Sequence, residues 1–316
     1  MFQHIAKPSV LKTMTPHSKL STFARSFSSL ITVNELSTSL DSVKVLDSSW
    51  HLDGRDAYKD YLEKRIPGSR FFGIDVIKDT STNLPHMLPS PKVFADAVGE
   101  LGINNEDHVV VYDTTGTFSA ARVYWTFKAF GHQQVSILNG GLPAWLKQGQ
   151  QTIGGPIEKI KPQHYTEPTL NQDVVKNYDQ VLSIVQKYVA TSQNENNNKQ
   201  DLPQIIDARS YARFNGEAPE PRAGIKGGHM PGSICVPFRE LETEDGFYKD
   251  DASLKQLFES KGVDLNRPII TSCGSGITAS MLYIALERAG AKEIAVYDGS
   301  WTEYGGKEDS IVVKKE

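Results

Sequence analysis

Two thiols occur in the 316 residues, Cys235 and Cys273, and their settings differ. Cys273 ends the run Pro268-Ile-Ile-Thr-Ser-Cys273 and opens Gly274-Ser275-Gly276-Ile277-Thr278. It therefore stands at the C-terminal end of an apolar strand, on a glycine-rich turn leading into a helical pattern. Ligands bind at that end of open α/β sheets, and a turn entering a helix points several backbone N–H groups at one spot. Such a cradle favours a thiolate over a thiol, and it equally holds a persulfide anion or charge growing on sulfur. Gly274 and Gly276 lack Cβ atoms, which lets the backbone close around the sulfur. Covalent transfer through Cys273 is the expected chemistry. Cys235, inside the apolar run Gly232-Ser-Ile-Cys235-Val-Pro-Phe238, reads as a small core residue.

The elements that must position Cys273 recur twice along the chain. The first half reads Val43-Lys-Val-Leu-Asp47, then Ile66-Pro-Gly68, then His108-Val-Val-Val-Tyr-Asp113. The second reads Gln204-Ile-Ile-Asp207, then Met230-Pro-Gly232, then the Cys273 strand, and the interval from Asp47 to Asp113 equals that from Asp207 to Cys273. A helical segment follows in each half, Ala120 to Phe130 and Ala279 to Ala289, and then a short strand ending in glycine, at Gly140 and at Gly299. Short Val/Ile/Leu runs separated by helical patterns are what a mostly parallel sheet flanked by helices produces. The fold class expected is α/β, two tandem units at residues 31–150 and 172–316, with a Gly/Pro-bearing linker at 151–171. Thr191–Gln200, rich in Asn and Gln, reads as a solvated loop.

Lys and Arg number 34 against 38 Asp and Glu, so no global basic field suggests nucleic-acid binding. No run of about 18 apolar residues suggests a membrane span. Sparse cysteine use fits a reducing compartment. The eight histidines form no HExxH or paired Cys/His spacing, so no metal or other cofactor is expected. Residues 1–30 contain no acid, while Lys7, Lys12, Lys19 and Arg25 lie among serines and threonines. That is the composition of a mitochondrial import segment, and Met14 offers a second start for a cytosolic pool.

The loop Cys273-Gly-Ser-Gly-Ile-Thr-Ala279 resembles the active-site loop of the 3-mercaptopyruvate sulfurtransferases, a tandem-domain branch of the rhodanese proteins. The resemblance runs from about residue 31 to 305, through Asp207-Ala-Arg209, Gly216-Glu-Ala-Pro-Glu-Pro-Arg222, Gly228-His-Met-Pro-Gly232 and Tyr297-Asp-Gly-Ser-Trp301. Ile277 stands where that family usually has Val. The resemblance implies an enzyme in which Cys273 takes sulfur from a small-molecule donor, releases pyruvate, and passes the sulfur to thioredoxin or another thiol. It implies Arg213 and Arg222 as binders of the donor's carboxylate, a task the planar guanidinium suits. It also implies a proton relay of Asp75, His86 and Ser275 beside Cys273, and a persulfide-cradling loop of Gly274, Ser275, Gly276, Ile277 and Thr278. Arg209 is expected to serve as an ion-pair partner of Asp207. Asp113 takes the cysteine's position in the first unit, where a carboxylate cannot carry a persulfide, so that unit is expected to be non-catalytic.

The loop residues from Gly274 to Thr278 are all neutral, which favours mercaptopyruvate over the compact dianion thiosulfate. Thiosulfate transfer is the alternative activity. A related phosphatase loop would carry Arg six positions after the cysteine, but Ala279 stands there. A reading from another class is a sulfur carrier docking on a tRNA-thiolation relay protein.

Overall fold

Each half of the chain forms one sheet from the same strands in the same order. The computed structural model describes residues 28–192 and 201–315. Nearly all of the acid-free leading segment, and most of the polar loop Thr191–Gln200, lie outside the described residues. The strands are β1 (Leu30–Ile31), β2 (Lys44–Asp47), β3 (Arg70–Phe71), β4 (Val109–Tyr112), β5 (Val135–Leu138), β6 (Val175–Lys176), β7 (Gln204–Asp207), β8 (Ile234–Cys235), β9 (Ile269–Ser272) and β10 (Ile294–Tyr297). The first sheet has the order β1-β5-β4-β2-β3 and the second β6-β10-β9-β7-β8. Every pairing is parallel. In the paired registers Asp47 faces Tyr112 and Asp207 faces Ser272, so Asp113 and Cys273 begin equivalent loops.

β4 and β9 are buried along their whole length because helices cover both sheet faces, which is why β4 reads as Val-Val-Val-Tyr and β9 opens on Ile-Ile rather than alternating with charged residues. Helices Ala120–Ala129 and Ile277–Ala289 follow these strands and pack against each other. Both are buried nearly all round, since each is held between its own sheet and the other unit. Residues of both helices share one apolar core, and Tyr124 Oη donates across the seam to Glu287 at 2.9 Å. The two units are thereby joined directly through the helices that follow their central strands. The segment expected as a linker also packs back on the first unit: Arg65 donates to the carbonyls of Gly155 and Pro156 at 3.0 and 2.9 Å.

Candidate active site

The turn after β9 is bent around the sulfur of Cys273. Gly276 adopts φ 85°, a left-handed conformation that glycine takes without strain, and its N–H donates to Cys273 Sγ at 3.2 Å. The loop is fastened to the helix Ser300–Tyr304. The Cys273 N–H meets Ser300 Oγ at 3.2 Å, and the Cys273 carbonyl accepts the Trp301 N–H at 2.9 Å. The Gly274 carbonyl accepts the amide and the hydroxyl of Thr302, at 2.8 and 2.6 Å. Ile277 and Thr278 begin the following helix and line a cavity that opens over Cys273.

The equivalent cradle in the first unit is filled by its own carboxylate. Asp113 accepts the N–H groups of Thr115, Ser119 and Ala120 at 2.8 to 2.9 Å, together with the Thr115 hydroxyl. The same strand–turn–helix device thus holds a carboxylate in one unit and a free thiol in the other.

A cavity of about 660 Å³ opens over Cys273 and is walled by both units, with Trp50 and Phe118 from the first facing Phe238, Gly274 and Ser275 of the second. Cys273 is 2% exposed, so its sulfur meets this cavity rather than bulk solvent. Arg213 and Arg222 are both on the wall. Arg213 is braced by a very short ion pair with Glu220, and its Nη2 would lie 3.1 Å from a Cβ added at Gly274. Glu220 also pairs with Arg209 at 2.7 Å, and Arg209 with Asp207 at 2.6 Å, so these two arginines and two carboxylates balance each other. Arg209 stacks over Trp301 as well, with 4.0 Å to the ring centroid. Arg222 makes only a long contact to Thr302 Oγ1, 3.4 Å, and no ion pair among the described residues. Of these two arginines, Arg222 is the one whose charge no carboxylate among the described residues offsets.

The relay suggested for Asp75, His86 and Ser275 is brought together across the two units. His86 Nδ1 is 3.2 Å from Ser275 Oγ, and His86 Nε2 is 3.5 Å from Asp75 Oδ1. With its proton on Nε2 the ring turns a donor toward Asp75 and accepts the Ser275 hydroxyl at Nδ1; with the proton on Nδ1 it donates toward Ser275. Asp75 lies at the surface, its side chain 56% exposed, and is steadied by Trp50 Nε1 at 2.8 Å. Burial, reinforced by the Arg122 charge, pushes the basicity of His86 down to about 4. A histidine lowered in this way adds stability above its ordinary range that is lost as the pH falls toward 4, so it stays neutral at working pH. The pH profile of kcat/KM is therefore expected to show no His86 limb between about pH 5.5 and 7.5. A limb near 6.5 that disappears in His86→Asn would contradict this.

Sequence reasoning did not single out Ser300, which anchors the Cys273 amide, or Arg239 and Glu242, which add one charge of each sign to the cavity wall. The motif Tyr297–Trp301 contained Ser300, but no local pattern says that a residue 27 positions on returns to the loop. Cys235 lies in β8 as expected, donating to the Arg209 carbonyl at 3.4 Å, and burial raises its thiol to about 12. Among the described residues no cluster of three or more His, Cys, Asp or Glu is arranged to hold a metal, and no helix is long and apolar enough to cross a membrane.

Comparison with known proteins gives two matches to the Rhodanese-like domain, at residues 32–148 and 190–307. The chain is 42% identical to thiosulfate sulfurtransferase of Rattus norvegicus, covering 83% of this chain and 85% of that one. It is 40% identical to a probable 3-mercaptopyruvate sulfurtransferase of Schizosaccharomyces pombe, covering 89% and 93%. Among solved structures it is similar to the sulfur transferase subunit of yeast mitochondrial complex I, with TM-score 0.80 and 38% identity, covering 92% of this chain and all of that one.

Proposed function

The chain belongs to the rhodanese family and is a sulfurtransferase, and from that premise we propose that it moves sulfur from 3-mercaptopyruvate to a thiol through a persulfide on Cys273. The relatives' names divide between two donors at nearly equal identity, so the choice rests on the site. What carries it is the neutral loop from Gly274 to Thr278 around Cys273 Sγ, with Arg222 unpaired on the same cavity wall.

In this reading the first unit, residues 31–150, covers the site and the second, 172–316, performs the chemistry. The Cys273 thiolate attacks the sulfur of mercaptopyruvate, forming an S–S bond. The C–S bond breaks, its electron pair passes to the substrate carbon, and pyruvate leaves as its enolate. The substrate's thiol proton ends on that carbon, relayed by Ser275 with neutral His86 as its acceptor and Asp75 orienting the ring. Arg213 and Arg222 hold the carboxylate, and backbone N–H groups of the loop hold the persulfide charge. An acceptor thiolate then takes the outer sulfur and regenerates Cys273, a two-step covalent cycle. Thioredoxin or another small or protein thiol is the proposed acceptor.

The carrier reading, with a tRNA-thiolation relay protein as partner, keeps the same persulfide but lacks turnover. Full-length protein with mercaptopyruvate and excess thiol is expected to release many equivalents of pyruvate; a single equivalent with retained persulfide would favour the carrier.

We further propose mitochondrial delivery with a cytosolic pool, supported by the acid-free residues 1–30 and by the mitochondrial origin of the yeast structure. Truncation should stop at residue 27, because the Ser29 and Ser28 carbonyls bond β5 through the Ile137 amide and the Ser136 hydroxyl. That truncation is expected to redirect the protein to the cytosol with unchanged activity in vitro. Unchanged location would refute it.

A further inference from the structure

Arg122 takes no part in the reaction described above, yet its guanidinium stands against the back of the catalytic loop. It belongs to the first unit, in helix Ala120–Ala129, and is 2% exposed. Its Nη2 donates to the His86 carbonyl in a very short hydrogen bond and to Asp298 Oδ1 of the second unit at 2.5 Å. Asp298 uses its other oxygen to accept the Leu88 N–H at 2.9 Å, so one carboxylate and one guanidinium clamp the His86 loop from both sides. The grip is needed, because His86 adopts φ 61°, a left-handed conformation that costs a residue with a Cβ.

The other amino group, Nη1, is buried and has no hydrogen-bond partner among the described residues. A Cβ built on Gly276 would come within 2.7 Å of it. Gly276 is the residue whose N–H reaches Cys273 Sγ, so the unpaired donor and the sulfur lie on either side of one glycine. A buried donor without an acceptor is destabilising, and such groups persist where function retains them.

We propose that Arg122 is a positioning residue for sulfur transfer, supplied by the non-catalytic unit: it fixes the backbone of His86 and stands its unpaired, buried Nη1 donor against Gly276, behind the persulfide cradle. The inference rests on the reading that Cys273 carries the sulfur. It gives the first unit a reason to be fused to the second beyond covering the site. The groups acting on His86 are Arg122 and Arg222, which disfavour its protonation, and Asp75 and Ser275, which favour it.

The test uses the full chain. Arg122→Met alone would strand the Asp298 carboxylate, so the main variant is Arg122→Met with Asp298→Asn, beside Arg122→Lys and Cys273→Ser. The double variant is expected to lose about 10- to 100-fold in kcat for mercaptopyruvate, with KM within about threefold. The acid limb of its pH profile should move to higher pH by roughly half a unit or more as the cation beside His86 is removed. Arg122→Lys keeps the charge but not the fork, and should lose kcat by about tenfold while the limb stays put. Wild-type kcat in either variant, or a kcat loss in the double variant without a moved limb, would overturn the proposal. Arg122→Lys alone still decides if the double variant does not fold. Activity remaining in Cys273→Ser would instead overturn the sulfur-carrying reading.

Discussion

Cys273→Ser is expected to abolish sulfur transfer, by about a thousandfold or more, while Cys235→Ser keeps most of the activity. The serine hydroxyl fits the cradle and still accepts the Gly276 N–H, so the fold and donor binding should survive. An oxygen there cannot form a persulfide, and no other thiol lines the cavity. Cys235 is a free thiol of the same chain in a different environment. Its hydrogen goes to the Arg209 carbonyl, and burial raises the thiol to about 12, which leaves essentially no thiolate at neutral pH. Serine at 235 keeps a donor for that carbonyl, so its cost should be confined to about 1 kcal/mol of stability. Steady-state pyruvate release and thermal melts of both variants check the pair. Loss of turnover in Cys235→Ser with an unchanged melting temperature would show that the second thiol takes part.

The second large effect concerns the donor. Wild-type protein is expected to prefer mercaptopyruvate to thiosulfate by at least about tenfold in kcat/KM. The structure sharpens the reason. The loop is neutral, but Arg213 abuts Gly274, so the site is not free of cations. That charge is balanced within the network Asp207–Arg209–Glu220–Arg213, which leaves Arg222 as the unpaired one of the two proposed carboxylate binders. Such an arrangement suits one carboxylate and leaves part of a dianion uncompensated in a partly desolvated cavity. Arg222→Gly should therefore raise KM for mercaptopyruvate by about 10- to 100-fold and affect thiosulfate less. Gly274→Arg with Ser275→Lys should raise thiosulfate use and depress mercaptopyruvate use severely. Any side chain at 274 crowds Arg213, and position 275 loses the hydroxyl that faces His86. Equal efficiency with the two donors in wild-type protein would refute the charge argument.

What could be read from the sequence was what the chain encodes locally. β4 and β9 announced themselves by Val-Val-Val-Tyr before Asp113 and Ile-Ile-Thr-Ser before Cys273, and the repeated interval tied them into equivalent sheets. The edge strands β1, β3, β6 and β8 are two residues long, too short for any periodicity, and of these only β8 lay in a run marked as apolar, around Cys235. Arg213 and Arg222 were reached through a resemblance, and the structure adds what no local pattern contains: one is neutralised by Glu220 and the other is not. Arg122 was invisible for the same reason. Its neighbours Asp298 and Gly276 lie far along the chain, and within its own helix it reads as one of two basic residues, with Lys128, in an otherwise uncharged stretch.

The most direct measurement is the intact mass of peptides after one equivalent of mercaptopyruvate without acceptor. The account predicts about 32 Da, one sulfur, added to the peptide containing Cys273, with one pyruvate released for each persulfide and the label removed by a thiol. Pyruvate released with no added mass on that peptide, or the added sulfur on Cys235, would contradict it.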